Sequence, residues 1–496
     1  MKLFRIRGGV HPEDRKALSA EQPITDLPIP ELLHIPVQQH IGAAAQPVVQ
    51  RGQHVFKGQL LAHSQGAISA PVHAPTSGRI MGIGNFPAHH PSGLSVRTIT
   101  LRPDGEDRWI DGLLACDDPF ALTPDEVAER VAAAGIVGMG GATFPSAVKL
   151  HLRDRYFLHT LVINGAECEP YLTCDDRLMR ELADEVVDGI RIMAHGLGVA
   201  RILIAIENNK PQAQAAMRRA VEGFAELQVV GLPTRYPMGS EKHLVQALTG
   251  RETPARALTA DIGVVVHNVA TAHAVHQALR HGWPLISRTV TVSGGAVRHP
   301  ANLRVLIGTP VSKVLDFCGG TEQTTARLIS GGPMMGQPLP STRVPIVKGS
   351  NGLLALDATE VASRPTTACI RCASCVSACP CGLVPLDMAA HARAGDLDGT
   401  VKLGLMDCIA CGSCSYVCPA NIPLVHYFNY AKGELAARQR AKHKQMETKR
   451  LAVQRTERIE ELKRKKREAM AKRKREAAAA ASSEAAEPAA EMEAGA

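Results

Sequence analysis

Two runs of cysteine constrain this chain more than anything else in it. Cys369, Cys372, Cys375 and Cys379 stand before Pro380 in CIRCASCVSACP. Cys408, Cys411, Cys414 and Cys418 stand before Pro419 in CIACGSCSYVCP. Both read C-x2-C-x2-C-x3-C-P. Three thiolates on so tight a loop wrap one face of an iron–sulfur cubane, and a fourth, opening the next helix, points away. Small residues (Ala373, Ser374, Gly412, Ser413) let backbone N–H groups approach the sulfides. Zinc asks only for paired C-x2-C motifs and four ligands per site, which leaves the third cysteine and the proline of each run unexplained. The runs therefore predict two 4Fe–4S clusters.

The same run occurs in bacterial two-cluster ferredoxins, where the fourth cysteine serves the other cluster. The expected ligand sets are thus crossed. Cys369, Cys372 and Cys375 join Cys418, while Cys408, Cys411 and Cys414 join Cys379. Cys381 is extra to the pattern and is read as an ordinary thiol.

Length and composition set the frame around these runs. At 496 residues the chain is too long for one core, and two to four domains are expected. With 45% hydrophobic and 21% charged residues, it has no stretch near the ~18 apolar residues of a membrane-spanning helix. The start, MKLFRIRGGVHPEDRK, has no apolar run behind its basic residues, so no secretory signal is expected and the chain is placed in the cytoplasm. In that reducing compartment clustered cysteines mean metal or redox chemistry rather than disulfides. The net charge of +8 belongs to a tail: residues 436–476 carry 17 Lys/Arg against 6 Asp/Glu, and 477–496 carry four Glu. The body is left near +1, which argues against a nucleic-acid-binding face.

Along the chain, residues 1–40 form an N-terminal segment with no clear period. Over 41–110 short apolar pieces are divided by Gly52, Gly58, Gly66 and Gly78 with Pro71 and Pro75, the pattern of a small sandwich. This segment resembles the biotinyl/lipoyl-like domain, whose carrier members hold a cofactor on a lysine. No lysine lies between Lys57 and Lys149, so the domain is read as structural or docking. Over 120–280 strands and helices alternate. LTPDEVAERVAAAG predicts a helix with Thr123 at its N-cap, Pro124 at N1 and Gly135 at its end. YFLHTLVINGAE, ARILIAIENN and ALTADIGVVVHNV predict buried strands of a Rossmann-like, mainly parallel sheet with ligands at the carboxyl ends. Residues 285–340 resemble a β-grasp ligand-binding module, 341–365 connect, 360–432 hold the helical ferredoxin-like domain, and 436–496 are a helical or disordered charged and alanine-rich tail. The fold class is multidomain α/β.

The loop GIVGMGGATFPSAVKL opens a helix with Gly138, Gly140 and Gly141, then Phe144 and Lys149. Glycines there expose N–H groups to an anion. The next strand ends in NGAECEP, with Asn164, Glu167 and Glu169, a polar patch suited to ribose hydroxyls or an amide. Together with RYPMGSEKHLVQALTGRETPAR and VHNVAT, these motifs resemble, in order, those of the NADH-oxidising flavoprotein subunit of respiratory complex I. They are more similar still to the RnfC/RsxC family of the Rnf/Rsx ion-translocating electron transport complexes, which has the same domain order, a GGPMMG segment (331–336 here) and a lysine- and alanine-rich tail.

That resemblance implies FMN, with NAD(H) as substrate. Gly138, Gly140, Gly141 and Lys149 would hold the FMN phosphate and ribityl chain, and Asn164, Asn268 and Thr271 would contact the flavin. Phe144, Glu167, Glu169 and Glu241 would shape the nicotinamide side. The chain departs from the complex I pattern at Ala166, Cys168, Tyr171 and Ser240-Glu241, which fall around the nucleotide more than the flavin. No catalytic nucleophile or acid–base pair is implied. His89, His90, His267, His273 and His281 are read as surface or core histidines, and Cys116, Cys168, Cys174 and Cys318 as ordinary thiols.

The function implied is that of a peripheral subunit on the cytoplasmic side of the cell inner membrane. It would couple electron transfer between NADH and ferredoxin, or a similar redox protein, to ion translocation by integral membrane and peripheral partner subunits. Its cofactors carry the redox chemistry while the chain orients and tunes them. A soluble diaphorase-like flavo-iron–sulfur subunit is the alternative. A basic-tailed nucleic-acid-binding or scaffold protein is a third reading, opposed by the Glu interleaved with Lys/Arg and the near absence of aromatics in the tail. The tail is expected instead to help attachment to an anionic membrane surface in a salt-sensitive way.

Overall fold

The computed structural model describes residues 3–321, 325–361 and 364–484. Residues 1–428 and 429–496 are separate compact units.

The parallel sheet follows the alternation of the sequence. Its order is Leu227–Leu232, Arg201–Glu207, Thr160–Gly165, Val264–Asn268, all pairs parallel. Successive side chains on a strand point to opposite faces, and both faces are apolar here. Leu161, Ile163, Ile202, Ile204 and Val265 pack with Val186, Ile190 and Val275 of the helices Ala183–Leu197 and Val269–His281. Val162, Leu203, Ala205 and Val266 face Leu244 and Val245 of the helix Glu241–Thr249. The edge strand Leu227–Leu232 is the one not anticipated. Pro124–Ala133 forms the expected helix, with a capping box in which Glu126 N–H donates to Thr123 Oγ1 at 3.3 Å and Thr123 N–H to Glu126 Oε2 at 2.7 Å.

The boundaries of the β-rich parts differ from expectation. Leu33–Pro36, inside the supposed N-terminal segment, is a strand of a four-stranded sheet with Ser95–Pro103, Gly78–Pro87 and His54–Val55. A three-stranded sheet of Gln46–Pro47, Leu60–His63 and Val72–His73 accompanies it. Ile24–Asp26 crosses to a different sheet of six strands, pairing parallel with Ala301–Leu306. That mixed sheet runs through Ser287–Ser293, Gly352–Leu356, Arg327–Ser330 and Gln337–Pro338. The supposed connector 341–365 thus supplies a fully buried interior strand, Gly352–Leu356. Partners distant in sequence decide both corrections, and no local periodicity announces them.

Short helices carry the cysteine runs: Ser374–Ala378, Pro385–Arg393, Leu397–Lys402 and Ser413–Tyr416. In the second unit, residues 429–484 lie in the helix Leu424–Glu484, and their side chains from Ala437 to Ser482 are exposed. Pairs such as Lys465–Glu461, at 2.8 Å, support that helix at i,i+4 spacing. No helix among the described residues is long and apolar enough to cross a membrane.

Candidate functional site: a flavin-type cavity beside a thiol-lined cluster site

At the carboxyl ends of the parallel strands lies a cavity of about 880 Å³, within the ~300–1,000 Å³ typical of ligand pockets. Gly138, Gly140, Gly141, Phe144, Lys149, Asn164, Glu167, Glu169, Glu241 and Asn268 all line it. Thr271, expected to contact the flavin, does not. It is fully buried and its hydroxyl accepts the N–H of Met139 at 3.0 Å, so it braces the glycine loop from behind.

Local contacts explain the loop's shape. Gly138 N–H donates to Phe144 O at 2.7 Å, closing the turn before the helix Ser146–Leu150. A Cβ on Gly140 would sit 3.4 Å from Asn268 Cβ, and Gly141 has φ +120°, a conformation that suits only glycine. Asn268 caps its own helix through Ala270 N–H (2.9 Å) and donates to Asp175 Oδ2 at 2.7 Å. Asn164 donates to Gly239 O at 2.8 Å and accepts from Ala166 N–H. Lys149 Nζ donates to Val266 O at 2.9 Å and to Glu241 Oε2 at 3.1 Å, and Glu241 also accepts from Thr259 Oγ1.

The two acids of NGAECEP have an additional task. Glu167 accepts the N–H groups of Asp175 (2.7 Å) and Asp176 (3.3 Å) at the start of the helix Cys174–Glu181. Glu169 accepts those of Met334 (3.0 Å) and Met335 (2.9 Å), clamping the 331–336 segment over the cavity. Burial pushes the Glu169 carboxyl up to about 7, against the pull of those two donors and of Lys16. Burial and the charge of Glu167 likewise raise Asp175. Beneath them, Lys16 Nζ donates to the carbonyls of Glu167 and Glu169, both at 2.9 Å, and of Leu172.

Several residues not expected to be site residues also belong to the cavity. Ser146 Oγ and His267 Nε2 are buried on its wall without a hydrogen-bond partner. Burial and the Lys149 charge hold the His267 imidazole well below its usual range, so it is neutral. An unmet buried polar group costs about 1–3 kcal/mol, and two of them beside Lys149 and the glycine loop suit a phosphorylated, hydroxyl-rich ligand such as FMN. His89, His90 and Gln38 bring the sandwich domain to the same wall. His89 Nδ1 donates to Pro345 O (3.1 Å), which leaves Nε2 to accept from Ser330 Oγ at 2.5 Å. Only adjacency in space reveals His89, His90 and Gln38, whose sequence surroundings carry no motif; Ser146 and His267 lie within quoted motifs but are singled out only by their unmet hydrogen bonds.

The structure gathers one of the two expected crossed sets. Cys379, Cys408, Cys411 and Cys414 line one small cavity of about 20 Å³, with Cys381 as a fifth thiol. Cys375 lies within electrostatic range of Cys418, and Cys369 and Cys372 are exposed. The runs repeat each other in backbone detail. Arg371 and Ala410, Ala373 and Gly412, and Gly382 and Asn421 occupy matching positions, all with positive φ. Amides turn toward sulfur in the same way: Arg371 N–H to Cys369 and Ala410 N–H to Cys408, each at 3.4 Å, Leu383 N–H to Cys379 at 3.4 Å and Ile422 N–H to Cys418 at 3.5 Å. Non-glycine residues held at positive φ store strain, and N–H groups aimed at thiolate sulfurs are the surroundings an iron–sulfur cluster requires. Ile409 lines both the large cavity and the thiol-lined one.

Fold and site together define a flavin- and iron–sulfur-dependent electron-transfer protein. Four family models match in succession: the RnfC barrel sandwich hybrid domain (residues 4–106), the Nuo51 FMN-binding domain (131–277), the SLBB domain (289–338) and the 4Fe-4S dicluster domain (368–422). The C component of the ion-translocating oxidoreductase complex of Rhodobacter capsulatus is 61% identical over 446 residues, which span 89% of this chain and 85% of that protein. The C component of the proton-translocating ferredoxin:NAD(+) oxidoreductase complex of Clostridium ljungdahlii is 46% identical over 445 residues, 89% of this chain and 96% of that one. An NAD+-reducing NiFe hydrogenase in its H2-reduced state aligns with a TM-score of 0.46 at 18% identity, over 65% of this chain and 62% of that one, too slight a likeness to bear on function. The chain belongs to the RnfC family, the C components of ion-translocating oxidoreductase complexes. It is an electron-transfer subunit of such a complex, with FMN and two 4Fe–4S clusters as cofactors.

Proposed function

We propose that this chain passes electrons between NADH and ferredoxin, or a similar redox protein, within a membrane complex that moves an ion, and that it does so from the cytoplasmic face. The observation that carries the reading is the adjacency of the two sites: Ile409 and Tyr236 stand in the wall of the large cavity, and Ile409 and Cys411 in that of the thiol-lined one. FMN supplies the exchange between two-electron and one-electron steps, and the clusters supply one-electron carriers.

The chain's residues bind and orient. Gly138, Gly140, Gly141, Lys149, Ser146 and His267 take the phosphate and ribityl end. Asn164 and Asn268 face the flavin, and Thr271 supports the glycine loop through Met139. Phe144, Glu167, Glu169 and Glu241 bound the nicotinamide side. The crossed cysteine sets hold one cubane each. Domain limits near 33–110, 120–280, 285–356 and 360–432 suit this division, with a Rossmann-like flavin domain, a β-grasp module that also takes in the strand Ile24–Asp26, and a helical ferredoxin-like domain; the exposed basic helix is suited to anionic lipid. A soluble diaphorase role finds less support, because relatives sharing almost the whole body are named as subunits of ion-translocating complexes.

Anaerobic purification of the full chain with iron, flavin and EPR analysis tests the proposal. One flavin, eight irons and two interacting cubane signals that develop when NADH is added are expected. Stoichiometric zinc without iron would sink the cluster assignment, and clusters indifferent to NADH would sink the assigned substrate.

A further inference from the structure

Contacts between the parallel-sheet domain and the cysteine runs gather on one ligand set. Tyr236 is 2% exposed, lines the large cavity, and donates its phenolic O–H to the carbonyl of Cys411 at 2.7 Å. From the neighbouring helix, His243 lies with Nε2 2.9 Å from Pro380 O. That carbonyl can only accept, so Nε2 carries the proton and Nδ1 accepts from Ser240 Oγ at 3.0 Å.

The N-terminal stretch is threaded between these elements. Val10 and Tyr236 exchange both backbone hydrogen bonds, at 2.8 and 2.9 Å, and Gly9 N–H donates to Ala378 O at 2.9 Å. Gly8, at φ +58°, runs so close to the first cysteine loop that a Cβ there would lie 2.4 Å from Cys379 O. The Cys379–Cys408–Cys411–Cys414 set is therefore clasped on both the Cys379 and the Cys411 side. Cys369 and Cys372, of the other set, are exposed.

We propose that Tyr236 is a positioning residue for electron transfer: through the Cys411 carbonyl it fixes this inner set against the flavin cavity and tunes the cluster the set carries. The inference rests on the flavin and cluster assignments made above. A phenol is suited to the task because its ring fills the shared wall while its O–H reaches past the wall to the ligand backbone. Hydrogen bonds around ligating groups are an established lever on cluster potential. An O–H dipole with its positive end toward the ligand loop favours the more negative, reduced form. Removing it should lower the potential of the inner cluster alone.

The test compares full-length wild type, Tyr236→Phe and Tyr236→Leu, prepared anaerobically. Redox titration is followed by EPR, with the two signals assigned by a Cys372→Ala variant. Tyr236→Phe keeps the ring, and it should keep flavin and eight irons. Its inner-cluster potential should fall, and reduction of that cluster from the flavin should slow about tenfold, the worth of one hydrogen bond of ~1.4 kcal/mol. The outer cluster should titrate as in wild type. Tyr236→Leu should slow the same step further, and iron loss confined to the inner set would also support the proposal. Equal shifts in both clusters, or none in either, would overturn it, and Tyr236→Phe decides the matter even where the leucine variant fails to fold. A wild type without flavin or without two cubanes overturns the underlying reading instead, so the two failures are distinguishable.

Discussion

The two cysteine runs have the same spacing, the same three left-handed backbone positions and the same amide-to-sulfur contacts. Their surroundings nonetheless differ. Cys411 and Cys414 are buried beneath the parallel-sheet domain, where Tyr236 and His243 bind the ligand backbone. In the first run Cys375 is also buried, but Cys369 and Cys372 are exposed, and between them Ile370 is 69% exposed. Spacing thus marks the thiols suited to iron, and tertiary contact sets the two runs apart. A duplicated motif has been divided into an inner and an outer position by what packs on it.

The strongest way to break this comparison is to remove one ligand from each set. Cys414→Ala should halve the iron content and cut electron flow from flavin to the outer cluster by about 100-fold or more, since that route loses its bridging carrier. Cys372→Ala should also halve the iron, yet leave NADH reduction of the flavin and the inner cluster intact. Iron analysis with stopped-flow spectroscopy checks both, and equal kinetic defects in the two variants would erase the distinction between inner and outer.

A smaller effect is expected from Glu169, whose clamp on Met334 bears on the second run: a Cβ on Gly412 would lie 2.9 Å from Met334 O. Its carboxyl is pushed up to about 7 by burial, from an ordinary value of 4.5. Below pH 4.5 folded and unfolded chains both hold the proton. Between about 4.5 and 7 the unfolded chain releases it and the folded chain does not, so this contribution to stability falls as pH rises and is spent above 7. Replacing Glu169 by Gln should remove that slope, worth about 1–3 kcal/mol across the window, as read from denaturation midpoints at pH 5 and 7.5. A slope unchanged in the variant would mean that the group titrates normally.

The least effect is expected from the charged helix. Deleting residues 436–496 should leave flavin, iron and both cluster potentials unchanged, while salt-sensitive binding to anionic vesicles is lost. Loss of either cluster on truncation would tie the tail to one end of the carrier chain.

How much of this is legible in the sequence follows from the range of the interactions concerned. The runs and the capped helix Pro124–Ala133 are written within a dozen residues each, and local chemistry is enough to read them. The glycine loop and NGAECEP announce a polar site in the same way. Ser146 and His267 lie in quoted motifs, yet the motifs do not single them out: what marks them is an unmet hydrogen bond in a shared cavity, a property of the assembled fold. Thr271 sits in a motif that implies contact with the ligand, but helix geometry turns its hydroxyl toward Met139. Tyr236 and the strand Gly352–Leu356 likewise owe their roles to neighbours distant in sequence.

The strand Ile24–Asp26 has a consequence for how such a chain is made. Its partner, Ala301–Leu306, is synthesised almost 280 residues later, a wait of roughly 14–56 s at ~5–20 residues per second on the ribosome. The flavin cavity draws its wall from as far along as Asn351 and Ile409, so it cannot close any earlier. Throughout that interval the N-terminal strand is an unpaired edge, open to mispairing with other nascent chains. Cofactor loading is therefore an event of late translation or after release, and the cell must keep the early half of the polypeptide soluble until then.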